Sequence, residues 1–277
     1  MPATKKKNSK STTTKNTNGT KRPPVARKPP PERFSLAGVM SELEHAGSEQ
    51  TRKTYARHGA VGPMFGVSFA TLKALRKRIG VDHELALALW NTGNFDARNL
   101  AVKILDPARM KSGDLDRWIS EAPAARMCGG YVAMVAAEGP HAATRAAEWL
   151  RAKDERTRVA GWTLLAQLAQ RDEAMADDVF AKRLEEIAAT IHTSSNAERE
   201  CMNGAVIGIG GRSAGLRKLA LAAARRIGKV EIDYGDTACK TPDAAEYIEK
   251  AWAHAKAKGF ATPAAQERER EVPRLRC

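Results

Sequence analysis

Between Gly66 and Pro107 apolar positions recur with helical spacing in three successive runs, separated by turns that contain glycine. In the third run Ala97, Leu100, Ala101, Ile104 and Leu105 fall at i, i+3, i+4, i+7 and i+8, one face of a helix. Asp106 and Pro107 end it, because a residue before proline avoids the helical region. One such short helix cannot bury its stripe alone, so the segment predicts a helical repeat array whose neighbouring pairs complete each other's core. Helices are expected from a Ser35 cap to about Ala46, from a Ser48 cap to about Arg57, and near 69–79, 83–92, 94–105 and 113–121. Further ones are expected near 124–137, 141–152, 155–170, 174–191, 197–209, 213–227 and 243–258. Paired by short turns, they amount to about five or six repeats of an all-α fold. Lys229 to Lys240 breaks the rhythm and reads as an extended loop, with Thr241 as cap and Pro242 as first residue of the next helix. Gly208-Ile209-Gly210-Gly211 follows a helical pattern and not a strand, so it reads as a helix end and not a nucleotide loop.

Gly66-Val67, the Leu72-x-x-Leu75-Arg76 helix, Leu89-Trp90-x-x-Gly93 and Ala97-Arg98-x-Leu100-Ala101 ending in Asp106-Pro107 resemble the DNA alkylation repair family, the HEAT-like alkylpurine DNA glycosylases. The likeness runs from about Phe34 to about Gly259. It implies a right-handed HEAT-like α-solenoid over 34–259 whose concave basic face holds duplex DNA, and the release of cationic N3- or N7-alkylpurines. The family's Trp-Asp-x-x-Asp stretch matches Arg126 to Val132, which has neither the tryptophan nor an aspartate. Gly204 stands where a second family aromatic is expected, and Arg158 matches a family arginine. A cleaved glycosidic bond leaves positive charge on the sugar, which a preorganised carboxylate stabilises. No catalytic residue is therefore assigned; Glu121, Glu138 and Asp154 are the neighbouring carboxylates, each with a surface or capping explanation. The alternative to an enzyme is a noncatalytic HEAT-repeat scaffold that binds a protein or structured nucleic acid.

Charge sharpens the expectation of DNA as partner. The 277 residues carry +14, and 43% are hydrophobic but only 5% aromatic, so alanine and leucine must fill most of the core. Residues 1–33 supply +9 of the charge and lack apolar periodicity; they read as a disordered basic arm, either a nucleic-acid tether or a solvated tail. Residues 260–277 read as a charged C-terminal tail. The expected DNA contacts are Lys73, Arg76 and Lys77, a basic stripe on one helix, with Arg126, Arg156, Arg158, Arg199 and Arg212 at helix starts and turns. The same stripe facing outward would be an ordinary solvated surface, and Arg156 and Arg158 have Asp154 and Glu155 as alternative partners.

Asp96 is expected to oppose the helix dipole from the first turn, and Trp90, Trp118, Trp149, Trp162 and Trp252 to fill the core. Four cysteines without a C-x-x-C pair and six histidines without a helical pair give no metal site, and no cofactor is expected. Glu231, Asp233 and Asp236 lack calcium-loop spacing. No secretory signal or membrane span is expected, and the chain reads as a cytoplasmic, nucleoid-associated monomer.

Overall fold

The computed structural model describes residues 34–122 and 128–276. It is helical, and the only β contact among the described residues is an isolated antiparallel bridge between Gly47 and Val67. The chain opens with α1 (Leu36–His45), α2 (Glu49–Arg57) and α3 (Phe69–Ile79). Packed pairs follow: α4 (His83–Asn91) with α5 (Phe95–Ile104), α6 (Ser112–Glu121) with α7 (Cys128–Glu138), and α8 (Ala142–Trp149) with α9 (Glu155–Arg171). The next pairs are α10 (Asp177–Thr190) with α11 (Asn196–Gly210), and α12 (Ala214–Ile227) with α13 (Ala244–Ala257). Helices α3, α5, α7, α9, α11 and α13 form one row in which each touches the next, and each even-numbered helix of a pair packs against the odd one that follows it.

Local chemistry sets these boundaries. Ser35, Ser48, Ser68, Asp82, Asn94, Asp154, Ser195 and Ser213 each accept a backbone N–H of the following first turn, a contact worth about 1 kcal/mol apiece. The expected cap at Thr241 is corrected: Asp243 caps α13, which begins at Ala244. Asn203 of α11 donates to the Pro242 carbonyl at 3.0 Å, which ties the residues before α13 to the neighbouring helix.

Alanine and leucine fill most of the core, with Trp90, Trp118, Trp149 and Trp162 buried among them. Trp90 and Trp118 lie face to face, centroids 4.0 Å apart. Trp252 is half-buried and donates its indole N–H to the Gly210 carbonyl at 2.7 Å.

The stretch beyond Gly259 is charged, as its sequence says, but it is folded. It carries α14 (Pro263–Arg268) and α15 (Pro273–Arg276) and crosses the C-terminal ends of the odd-numbered row. Ala264 N–H donates to Gly211 O at the end of α11 (3.0 Å), and Arg268 to Gln170 O at the end of α9 (3.2 Å). Arg171 returns two bonds from α9 to the carbonyls of Glu267 and Arg270. Arg274 then pairs with Glu138 of α7 (2.9 Å) and donates to Val102 O and Lys103 O near the end of α5, while Glu271 meets Arg76 of α3 at 2.8 Å. The last carbonyls of a helix have no partner within it, and this strap supplies donors to several of them.

Candidate nucleic-acid interface

The motif residues near the front of the chain form one unit. Asp96 is fully buried, and its carboxylate accepts the N–H groups of Phe65 (2.6 Å), Gly66 (3.0 Å) and Val67 (2.9 Å). The capping role expected of Asp96 belongs to Asn94, whose side chain accepts from Asp96 N and Ala97 N. Gly66 has φ +80°, and a Cβ there would lie 2.4 Å from the Ser48 carbonyl, so the Gly66-Val67 pair reflects backbone packed on backbone. Tyr55 donates its hydroxyl to Val67 O, and burial, followed by the nearby Asp96 charge, pushes its pKa up. Arg98 stacks on Trp90 and donates to the Trp90 and Glu121 carbonyls.

Most of the arginines expected at DNA are occupied within the protein. Arg212, 8% exposed, donates to the carbonyls of Ala169 and Asp172 at the end of α9 and to Met175 O, while its Nε pairs with Asp177 at 2.8 Å. Arg158 holds Glu198 of α11 through Nε (2.6 Å) and Nη2 (3.1 Å) and donates Nη1 to the Ala152 and Lys153 carbonyls. The bond to Glu198 raises the Arg158 pKa further. Its partner is therefore Glu198, not the adjacent Asp154 or Glu155. Arg199 donates to Ser194 O and Glu231 O, Arg156 to Ser120 O, and Arg76 serves the strap. A five-donor guanidinium satisfies carbonyls and carboxylates of neighbouring segments that sequence spacing alone does not locate. Lys73 is half-buried and Lys77 exposed, and Arg126 lies outside the described residues. Glu198 was readable, since Ser195-x-x-Glu198 is a capping-box pattern.

The three carboxylates near the apparent catalytic stretch also have partners. Glu121 accepts the Trp90 indole N–H at 2.7 Å and pairs with Arg117, Glu138 pairs with Arg274, and Asp154 caps α9. Burial opposes ionisation of Asp154, but the bonds from Thr157 outweigh it and hold its pKa below the usual carboxylate range. Val132 is fully buried in α7. The partly exposed positions of the odd row recur at helical spacing: Tyr131, Met134 and Ala137 on α7, Thr163, Ala166 and Gln170 on α9, Cys201, Gly204 and Ile207 on α11. Two glutamates are also partly exposed on these helices, Glu138 of α7, which pairs with Arg274, and Glu200 of α11. Neighbouring stripes adjoin, since Thr163 Oγ1 lies 3.5 Å from Cys201 Sγ and a Cβ on Gly208 would lie 3.1 Å from Ala166 O. Tyr131 lies under the Lys103 ammonium, 4.5 Å from the ring centre. At the far end a groove of about 580 Å³ opens between α11, α13 and α14.

Residues 39–248 match the family model described as DNA alkylation repair enzyme. The chain belongs to the DNA alkylation repair family. A solved structure described as a new family of proteins related to the HEAT-like repeat DNA glycosylases with affinity for branched DNA structures has the same fold: TM-score 0.73, 32% identity, 82% of this chain and 97% of that one covered. The family's HEAT-like solenoid accounts for the helix pairs described above. Two curated relatives are each 28% identical over 217 residues, which is 76% of this chain and 94% of theirs: the uncharacterized proteins Lmo0209 of Listeria monocytogenes and Lin0241 of Listeria innocua. Among the described residues no group of His, Cys, Asp and Glu is placed to hold a metal ion, and no helix is long and apolar enough to cross a membrane.

Proposed function

We propose that this chain binds branched DNA along the exposed face of its odd-numbered helices and does not excise bases. The observation that carries the reading is the stretch that matches the family's catalytic carboxylate: it holds no acid, and its Val132 is fully buried in α7. At that position no carboxylate stands ready to stabilise a cationic sugar. Affinity then comes from phosphate neutralisation, for which Lys73, Lys77 and the basic arm of residues 1–33 are the sources. Arg156 and Arg199, at the ends of the stripes, are secondary contacts that keep their carbonyl partners. The 32%-identical neighbour's affinity for branched DNA supports the choice of branched over uniform duplex DNA.

The test pairs binding with chemistry on the full chain. A three-way junction should compete at least about ten-fold better than a linear duplex of the same length and composition, at matched salt. DNA holding N7-methylguanine or N3-methyladenine should release base no faster than without protein. Release above that background would establish a glycosylase and overturn the noncatalytic reading; equal affinity for junction and duplex would remove the branched-DNA reading.

A further inference from the structure

We infer that the groove between α11 and α13 receives an unpaired nucleotide at the branch point of the DNA, with Tyr247 stacking on its base. This assignment rests on the branched-DNA reading above. The groove has a volume of about 580 Å³, within the ~300–1,000 Å³ typical of small-ligand sites and far too small for a duplex.

Its floor is the α11 stripe of Gly204, Ile207 and Gly208; one wall is α13 with Tyr247, Lys250 and His254; α14 closes one side with Arg270 beyond it. Tyr247, one of the few large apolar side chains left exposed, is 52% accessible and lines the groove. Base stacking on an exposed aromatic needs a free base face, which paired DNA presents only at ends and branch points.

The charges around the ring agree with a phosphate-bearing occupant. Lys250 and Arg270 are exposed cations; Lys250 is in an exposed pair with Glu246, whereas Arg270 lies 3.7 Å from the largely buried Glu267. An exposed pair such as Lys250–Glu246 contributes little to stability, so exchanging its carboxylate for a phosphate costs little. Glu267 retains Arg276 as a second partner, so moving Arg270 does not leave it bare.

Gly204 is the independent observation. Glycine inside a helix costs about 1 kcal/mol relative to alanine and is normally explained by a close neighbour. Gly208 and Gly210 have that explanation: a Cβ on Gly208 would lie 3.1 Å from Ala166 O, and one on Gly210 would lie 2.6 Å from Ile248 Cδ1. Gly204 does not: as at Gly113 of α6 and Gly130 of α7, a Cβ there would meet nothing within 4 Å, and of the three only Gly204 lines the groove. The protein's own packing thus gives no reason for the missing side chain at the groove floor, whereas a flat base laid against the helix does.

The test uses the full chain with three variants. Tyr247→Ala removes the stacking face; Gly204→Leu fills the groove at a position with free space and better helix propensity, so its fold is not at risk. Lys256→Ala, an exposed change on α13 outside the groove, is the control. The probes are a three-way junction with two unpaired nucleotides at the branch, the same junction fully paired, and a linear duplex. A 2-aminopurine placed at the unpaired position reports stacking by its fluorescence. Tyr247→Ala and Gly204→Leu should each lower the preference for the unpaired junction over the duplex by at least roughly five-fold, as expected when one base–aromatic stack is removed. Both should abolish the 2-aminopurine quenching seen with the parent chain, and the control should not. Junction preference and quenching that survive both variants would overturn the groove assignment and leave the branched-DNA reading standing. A parent chain that binds all three probes equally would overturn both readings together.

Discussion

A fully buried carboxylate that accepts three backbone N–H groups cannot be shortened without leaving donors bare. Asp96→Ala should therefore destabilise the chain by on the order of 3 kcal/mol, and Asp96→Asn by less, because the amide keeps one acceptor oxygen. Urea midpoints at neutral pH measure this; a loss under about 1 kcal/mol would mean the loop at 65–67 holds its shape without the carboxylate. Arg158 makes a second case. Because its donors go to Glu198 and two carbonyls, Arg158→Ala should lower the urea midpoint and leave the salt slope of DNA binding unchanged. A salt slope reduced by about one unit with stability intact would return Arg158 to the DNA contacts. Asp177 gives the acid limb. The Ser213 hydroxyl, and after it Arg212, hold its pKa below the ordinary aspartate range against the opposing effect of burial. A depressed folded-state pKa contributes stability above the unfolded value and loses it as pH falls through the folded one. The carboxylate is 49% exposed, so the effect is small, but the stability gap between the parent and Asp177→Asn should narrow as pH falls from about 5 to about 3. At this scale the side chain's type and helix position were readable; its partner, often thirty or more positions away, was not.

At the scale of elements, apolar spacing and N-cap residues located the helices to within a few positions, because both signals are local. The C-terminal strap escaped that method. Its two helices are too short to show periodicity, and its charged residues look like those of a solvated tail until their partners on α3, α5, α7 and α9 are seen. The strap ties together odd-row helices that otherwise touch only their neighbours. Arg274→Ala should consequently cost on the order of 3 kcal/mol, since it strips Glu138 of its partner and two carbonyls of their donor in a largely buried setting. A thermal melt and hydrogen exchange at the ends of α5 and α7 read the effect; unchanged protection at those ends would show that the strap is not needed to hold the row.

For the whole molecule, charge and shape act separately. The +14 total is concentrated in residues 1–33, while the folded portion carries many of its arginines in internal pairs. Removing the arm should weaken binding to every DNA form and make the salt dependence shallower by about 0.9 for each phosphate that the arm had neutralised. On the proposed function, which puts discrimination in the helical face and the groove beside α13, the ratio of junction to duplex affinity should survive. Anisotropy titrations between roughly 50 and 200 mM salt would separate the two; loss of discrimination along with the arm would place it in residues 1–33 instead.

The sequence by itself determined the all-helical repeat fold, the order of its helices, the core and the family, because periodicity, capping chemistry and the motif between Gly66 and Pro107 are properties of contiguous residues. Only the tertiary structure decided what the charged side chains do. Which carboxylates and carbonyls Arg158 and Arg212 reach within the chain, whether Asp96 caps its helix or holds a distant loop, and whether Gly204 packs against a neighbour or leaves a groove open all depend on which elements lie side by side. Long, multivalent side chains choose their partners in space, and spacing along the chain carries no record of that choice.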